Sequence, residues 1–317
     1  MNYSAICERA SLLAEDGGRL TMNFCEYAVP QPESHLLALK ALHAEQGAGK
    51  WLEQDVDFLS EAIKGLLGIA GAQLLGMGRL VSPGEPVLLH PLVTLLRGVA
   101  EACGTVSWLV SPWIVVGEEV EDTKSPEDWW NGSQPILARI ELLQLEARMS
   151  RLRRLKAAFT DNQSSVVEAE VALERIRGDL EACHGIGSAE VRGSRRESLR
   201  IQGETMPSYT ELVTMATEFS HGSKCRGSGM NPYPMFSGFA HANVEVLFSQ
   251  APTDRRPGMS NLFPAQAGEV RDSMAQGFRL VEAHYEMAAV SLDVGKEELA
   301  PWSEQVRNFI DETMEES

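Results

Sequence analysis

The sequence predicts an all-α fold, an antiparallel helical bundle that carries a long helical hairpin and extra C-terminal helices. Apolar residues recur at helical spacing along most of the 317 residues, and strand signals are almost absent. The connections between the central helices are short, which favours antiparallel neighbours. We divide the chain into an N-terminal helical extension at 1–47, a helical bundle at 48–250 and a C-terminal helical section at 251–317.

Composition and charge narrow the class of protein. Hydrophobic residues make up 44% of the chain, enough for a real core, and the net charge of −17 disfavours non-specific attraction to nucleic acid or anionic lipid. The five cysteines form no CxxC pair, which is typical of reduced thiols in the cytosol. The apolar stretch between Lys64 and Arg79 is 14 residues long, short for a membrane span. We therefore expect a cytoplasmic protein without membrane attachment.

Helical spacing predicts the elements of the first 110 residues. The pattern at 4–15 predicts a helix that Gly17 and Gly18 end, and 35–45 reads as a short helix. A long helix follows at 48–81. Its second half holds five glycines, which favour close approach of another helix over a break near Gly76. The helix at 88–110 is apolar on nearly all sides and is ended by Ser111 and Pro112.

The clearest helices of the sequence are 134–158 and 164–184. Their apolar residues recur at steps of three and four, which predicts an antiparallel hairpin over 135–184 packed along apolar seams. The seam residues are Leu142, Leu145, Met149 and Leu152 on the first helix, and Val166, Ala169, Leu173, Ile176 and Leu180 on the second.

Glycines and arginines at 185–206 predict a long, mobile loop. Four helices follow it. They span about 208–219, where a capping residue precedes an apolar run, then 232–250, 265–291 and 301–314.

Three polar side chains recur on one face of the helix predicted to begin near residue 232. Tyr233, Ser237 and His241 are spaced by four residues and have apolar neighbours. Arg97 and Glu101 also stand four apart, within an otherwise apolar helix. Because buried polar and charged groups need partners, we expect Arg97 and Glu101 to meet His241 and Ser237. The set is either a catalytic site with the histidine as general base or a structural network that fixes helix register.

Metal and cofactor sites are not expected. The seven histidines include no HxxxH or HExxH, the spacings by which a helix presents two histidines to one metal ion. The glycines near Lys50 lack the spacing of a phosphate-binding loop, and no G-x-S-x-G elbow occurs.

Two clusters of basic residues interrupt the acidic composition. Between 148 and 156 the chain holds five arginines and lysines and no acid, and four more arginines occur within 192–200. They are either solvated charge near a helix end or a phosphate-binding surface. The residues selected for nucleic-acid contact are Arg151, Arg154, Arg195 and Arg196.

These features together resemble a known group of proteins over roughly 48–250. A Pro-Leu-Leu-Arg-Glu pattern on a helix with Trp108 near its end, an arginine-rich hairpin, a Pro-Ser-Tyr-Thr segment and the Tyr233, Ser237 and His241 line resemble actinobacterial helical proteins of unassigned function, similar to the HEPN superfamily. The superfamily includes RNA-cleaving defence proteins and their inactive kin. In its ribonucleases an arginine precedes a histidine by a few residues on one helix. His241 matches the histidine, but 234–239 holds no arginine.

The resemblance implies an intracellular protein that binds or cleaves RNA, in phage defence or a stress response, without a metal. His241 would be base or ligand contact, Arg97 the phosphate-facing cation, and Glu101 with Ser237 would orient them. The alternative is a noncatalytic scaffold whose polar network is structural. The resemblance also implies a homodimer, for which the glycine-lined helix at 65–78 and the hairpin seam offer two surfaces, unless both are used within one chain.

Overall fold

The computed structural model describes residues 2–47, 50–52, 54–83, 86–117, 126–157, 163–185, 200–221 and 265–314. Within these ranges the chain forms nine α-helices and no strand, which confirms the predicted all-α helical bundle. The α-helices are α1 Tyr3–Tyr27, α2 His35–Leu42, α3 Asp55–Leu80, α4 Leu89–Gly117, α5 Pro126–Ala157, α6 Gln163–His184, α7 Tyr209–Ser220, α8 Ala267–Leu292 and α9 Lys296–Met314. A π-helical turn, His43–Gly47, follows α2.

The helices form two compact units that combine ranges distant in sequence. Unit 1 contains residues 1–31, 62–108 and 208–317, and unit 2 contains 32–61 and 109–207. The division of the chain at 47 and 250 made from sequence follows chain order, whereas the units do not. Helices α3 and α4 each contribute residues to both units.

Unit 1 is built around α8, which packs against α1, α7 and α9. Phe278 and Phe309 are fully buried and meet edge to face. The indole Nε1 of Trp302 donates a hydrogen bond to the carbonyl oxygen of Leu13 over 2.9 Å, so α9 is tied to α1 by a polar contact inside the apolar core.

Glycines let the helices of unit 1 approach closely. A side chain at Gly71 would collide with Thr21 of α1, and a Cβ at Gly78 would lie 2.7 Å from the Cβ of Ala14. The predicted close approach to α3 is therefore found, and α3 runs unbroken past Gly76 to Leu80. The predicted end of α1 at Gly17 and Gly18 is wrong, because tertiary packing outweighs their low helix propensity: side chains there would meet Trp302 and Leu75.

Two prolines lie inside helices that extend further than the sequence predicts. Pro112 does not end α4, which continues to Gly117, and Pro135 lies within α5, which begins at Pro126. Beyond Pro112, Trp113 is buried and its Nε1 donates to Ser133 Oγ over 3.3 Å. This anchoring of the residue after the proline holds the helix in place despite the lost backbone hydrogen bond.

Unit 2 contains the predicted hairpin. Helices α5 and α6 pack against each other, and contacts at the two ends show that they are antiparallel: Lys156 pairs with Glu170, and Glu141 pairs with His184. The predicted seams are found. Leu142 and Leu145 of α5 are buried, and the buried seam residues of α6 are Ala169, Leu173, Ile176 and Leu180.

The predicted cap near residue 208 is also found. The hydroxyl of Ser208 accepts a hydrogen bond from the backbone N–H of Glu211, and the Glu211 carboxylate accepts from the Ser208 backbone N–H. The Ser208 backbone N–H, and then its hydroxyl, donate to the Glu211 carboxylate and lower the pKa of this carboxyl.

Candidate functional site

The predicted pair Arg97 and Glu101 is formed along α4. Arg97 Nε lies 2.6 Å from Glu101 Oε1, and the two side chains are 15% and 25% exposed. Tyr233, Ser237 and His241, the residues expected to face this pair, lie outside the described residues. Arg97 is thus paired with an acidic neighbour one helical turn away on the same helix.

The most densely polar part of unit 2 is a buried cluster that the sequence analysis did not propose. Asp55 at the start of α3 and Glu141 of α5 are both fully buried. The Leu52 backbone N–H donates to Asp55 Oδ2 over 3.1 Å and to Glu141 Oε1 over 3.4 Å. Gln144 Nε2 donates to Asp55 Oδ1 over 2.9 Å, and His184 Nε2 lies 2.6 Å from Glu141 Oε2. We call these four side chains the acid–histidine cluster: Asp55, Glu141, Gln144 and His184.

Burial changes the ionisation of this cluster. Burial raises the pKa of Asp55, and the negative charge of Glu141 beside it raises it further. Asp55 therefore holds a proton, which it shares with the Glu141 carboxylate. Holding this proton lowers the desolvation cost of burying two carboxyl groups together.

The acid and histidine side chains of the cluster are enclosed within unit 2, whereas Gln144 also lines a cavity. His184 is almost completely buried, and its ring meets Trp51 edge-on at 5.0 Å between ring centroids. The evident role of the cluster is to lock the start of α3 to the hairpin.

A signal for the cluster is present in the sequence. The buried seam of α6 runs through Leu173, Ile176 and Leu180, and one further step of four reaches His184. Glu141 lies in a strongly apolar part of α5, where a lone carboxylate needs a partner.

Exposed arginines line α5 beyond this cluster. Arg151 and Arg154, two of the residues selected for nucleic-acid contact, are exposed; Arg148, one turn earlier, is half-buried. Among the described residues no carboxylate pairs with these three arginines, whereas Arg153 pairs with Glu146 over 2.7 Å. We call Arg148, Arg151 and Arg154 the α5 arginine stripe. Arg195 and Arg196 lie outside the described residues.

A groove runs beside the arginine stripe, within unit 2. It consists of two adjoining cavities of about 250 and 400 Å³ that share Arg148 and Ala172. The smaller cavity is lined by arginine, amide and apolar groups and by no carboxylate: Phe58, Gln144, Ala147, Arg148, Arg151, Ala169 and Ala172. The larger includes two exposed valines, Val167 and Val171, and the charged residues Arg148, Glu168, Arg175 and Asp179.

Arg148 carries an unused donor at the junction of the two cavities. Its Nε is buried and has no hydrogen-bond partner among the described residues. A buried donor left unpaired costs about 1–3 kcal/mol. An anionic ligand in the groove would supply the missing acceptor.

A second buried histidine in unit 1 is fully satisfied. His284 Nδ1 lies 2.6 Å from the carbonyl oxygen of Leu280, and its Nε2 lies 2.5 Å from Ser107 Oγ. The ring is therefore neutral, donating from Nδ1 and accepting at Nε2, and burial lowers its pKa to about 4. A serine beside a histidine suggests a nucleophile, but both side chains are completely buried, which assigns the pair to the core.

Two further properties bear on function. The described part of the chain holds no group of three histidine, cysteine or acidic side chains able to bind a metal ion. Two of its helices, Asp55–Leu80 and Leu89–Trp113, are long and apolar enough by composition to cross a membrane, and 33% and 72% of their most apolar windows are buried within the protein.

Comparisons with known protein families, with curated proteins and with solved structures give no match to this chain.

Proposed function

We propose that the chain is a HEPN-like intracellular protein that binds RNA through the α5 arginine stripe. The single observation that carries this proposal is the set of three arginines on one helix that have no carboxylate partner among the described residues. In a chain of net charge −17, cations left unpaired are available for an anionic partner. Phosphate contacts by arginine supply most of the affinity of non-specific nucleic-acid binding.

The groove beside the stripe supports the same proposal. Its smaller cavity has two arginines and no carboxylate, so its electrostatic potential favours phosphate. An intracellular setting in phage defence or a stress response follows from the resemblance alone.

Fluorescence anisotropy with a labelled single-stranded RNA tests the proposal. The wild type is expected to bind saturably, and a variant combining Arg148→Gln, Arg151→Gln and Arg154→Gln is expected to lose most of the affinity. A matched control removes the same number of charges from exposed cations that already have acidic partners: Arg19→Gln, Lys40→Gln and Arg153→Gln. Equal losses in both triple variants, or no binding by the wild type, would reject the arginine stripe as the RNA contact.

Cleavage of RNA is a separate part of the proposal. Following the resemblance, His241 is proposed as base, with Arg97 as the phosphate-facing cation. Glu101 and Ser237 would orient them. Incubation of total RNA with wild type, His241→Ala and His184→Ala separates the two histidines. The proposal expects only His241→Ala to abolish cleavage without loss of stability, and RNA left intact by the wild type would reject it.

A noncatalytic scaffold is the second candidate function. The observation that favours it is that the members of the acid–histidine cluster are buried and hydrogen-bond one another. The exposed valines of α6, Val167 and Val171, would then belong to a docking surface for a protein partner. If the chain is a scaffold, Arg97→Ala lowers the stability of the protein. There is then no enzymatic activity for the substitution to remove.

A homodimer remains part of the proposal, but it needs a different surface from those considered in the sequence analysis. The glycine-lined part of α3 packs within unit 1, and the hairpin seams pack against each other within unit 2. The exposed apolar surface left on the hairpin is that of Val167 and Val171, which are 56% and 65% exposed.

A further inference from the structure

We infer that the groove between α5 and α6 takes a single nucleotide unit in its smaller cavity, with the phosphate at Arg148 and Arg151 and the base against Phe58. This inference rests on the proposed function and deepens it, because it makes the ligand single-stranded RNA rather than a duplex.

The phosphate position follows from the polar atoms of the cavity. Arg148 and Arg151 stand three residues apart on α5 and line the same cavity, so their guanidinium groups reach one anion between them. The buried Nε of Arg148 has no acceptor among the described residues, and a phosphate oxygen would provide one. A guanidinium fork matches the oxygens of a phosphate better than an ammonium group does.

The base position follows from the apolar wall. Phe58 is half-buried at the cavity and stacks on no other aromatic ring among the described residues. Three alanines, Ala147, Ala169 and Ala172, line the same cavity, and their small side chains leave room for a flat group. Bases of single-stranded RNA stack on aromatic side chains in this way, and the interaction tolerates any base sequence.

The size of the groove excludes a duplex. The larger cavity, of about 400 Å³, lies within the range of small-ligand sites, roughly 300 to 1,000 Å³, and the smaller, of about 250 Å³, lies just below it. A base enters such a space only when it is unpaired. The two cavities share Arg148 and Ala172 as lining residues, so they lie next to each other.

The test uses the full chain and three probes: a ten-nucleotide single-stranded RNA, an RNA duplex of the same sequence, and adenosine monophosphate. The inference expects the single strand to bind more tightly than the duplex. Phe58→Leu is expected to weaken binding of the single strand about 5-fold or more, the lower end of the effect of one base stack. Arg148→Lys keeps the charge but removes Nε and is expected to weaken binding of both the single strand and the mononucleotide.

If Phe58→Leu lowers the melting temperature, its weaker binding could reflect loss of folding. Ala172→Phe is therefore a second variant, which fills the groove without removing Phe58. Ala182→Phe, an exposed position of α6 that does not line either cavity, is its control. Loss of RNA binding in Ala172→Phe, with binding retained in Ala182→Phe, supports the inference. Single-stranded RNA that binds Phe58→Leu and Ala172→Phe as tightly as wild type overturns the nucleotide site and keeps RNA binding. If the mononucleotide binds in a Phe58-dependent way but the oligonucleotide does not bind, the nucleotide site stands and the proposed RNA-binding function is overturned. If neither probe binds, the site and the proposed function are both overturned.

Discussion

Asp55 and Glu141 bring two carboxyl groups together in the interior of unit 2, and the same backbone N–H, that of Leu52, donates to both. Burial, and then the negative charge of Glu141, raise the pKa of Asp55, so Asp55 holds a proton. His184 on the other side of Glu141 completes a chain from α3 through α5 to the end of α6. This contact fixes the register of the hairpin against the start of α3.

The shared proton predicts an unusual pH dependence of stability. Because the pKa of Asp55 is raised above its ordinary value of 3.8, the folded state binds this proton more tightly than the unfolded state. The contribution is fully present below pH 3.8 and is lost as pH rises through the folded pKa. Asp55→Asn mimics the protonated acid, so we expect its free energy of unfolding to fall less than that of the wild type between pH 5 and pH 9. Chemical denaturation across this range measures it, and parallel curves for the two proteins would argue against the shared proton.

Removing the histidine tests the structural role of the cluster. His184→Ala leaves Glu141 buried with one partner fewer, and an unpaired buried group costs about 1–3 kcal/mol. We expect a fall of several degrees in the melting temperature, measured by calorimetry. His90→Ala, at a half-exposed position of α4, is the comparison and is expected to change the melting temperature less. Equal melting temperatures for His184→Ala and the wild type would contradict the structural role.

Two glycines of α3 predict opposite effects of the same substitution. A Cβ at Gly71 would collide with Thr21, so Gly71→Ala must push α1 away and lower stability by about 1–3 kcal/mol. A Cβ at Gly65 meets nothing within 4 Å, so Gly65→Ala should raise stability by about 0.5–1 kcal/mol through better helix propensity. Urea denaturation of both variants decides it. Similar values for the two would mean that the close approach of α1 does not exist.

The oligomeric state gives a further test. Light scattering coupled to size exclusion, at micromolar concentration, should give twice the chain mass of 34.8 kDa if the proposed homodimer forms. Val167→Lys and Val171→Lys together should then return the mass to that of one chain, because a charge on an apolar contact opposes association. A mass of 34.8 kDa for the wild type would refute the homodimer.

The fold was predictable from sequence because helical periodicity is a strong local signal. Helices α6 and α8 were found with nearly correct bounds, and the end of α5 was also found, but α5 begins at Pro126 rather than at residue 134. The errors lie at Gly17 and Gly18 in α1 and at Pro112 in α4, where tertiary packing overrides local propensity. Such packing depends on residues distant in sequence, among them Trp302 and Ser133, which local reasoning does not identify.

The candidate site was less predictable, for a physical reason. The Arg97–Glu101 pair is local, with a spacing of four, and was expected. The acid–histidine cluster joins residues about 45 to 130 positions apart, and only the continuation of the α6 seam to His184 signalled it. The basic run at 148–156 was visible in the sequence. Which of its cations lack carboxylate partners was not, because that depends on Glu146 and Glu170, which pair with Arg153 and Lys156.

The central claim is that the three arginines of the α5 stripe contact RNA phosphates. The most direct measurement is the salt dependence of affinity for single-stranded RNA between 50 and 200 mM potassium chloride. Each phosphate contact contributes about −0.7 to the slope of log affinity against log salt, so the loss of three contacts should make the slope shallower by about 2. We predict this change for the variant that combines Arg148→Gln, Arg151→Gln and Arg154→Gln. The same slope in the variant and the wild type would contradict the claim.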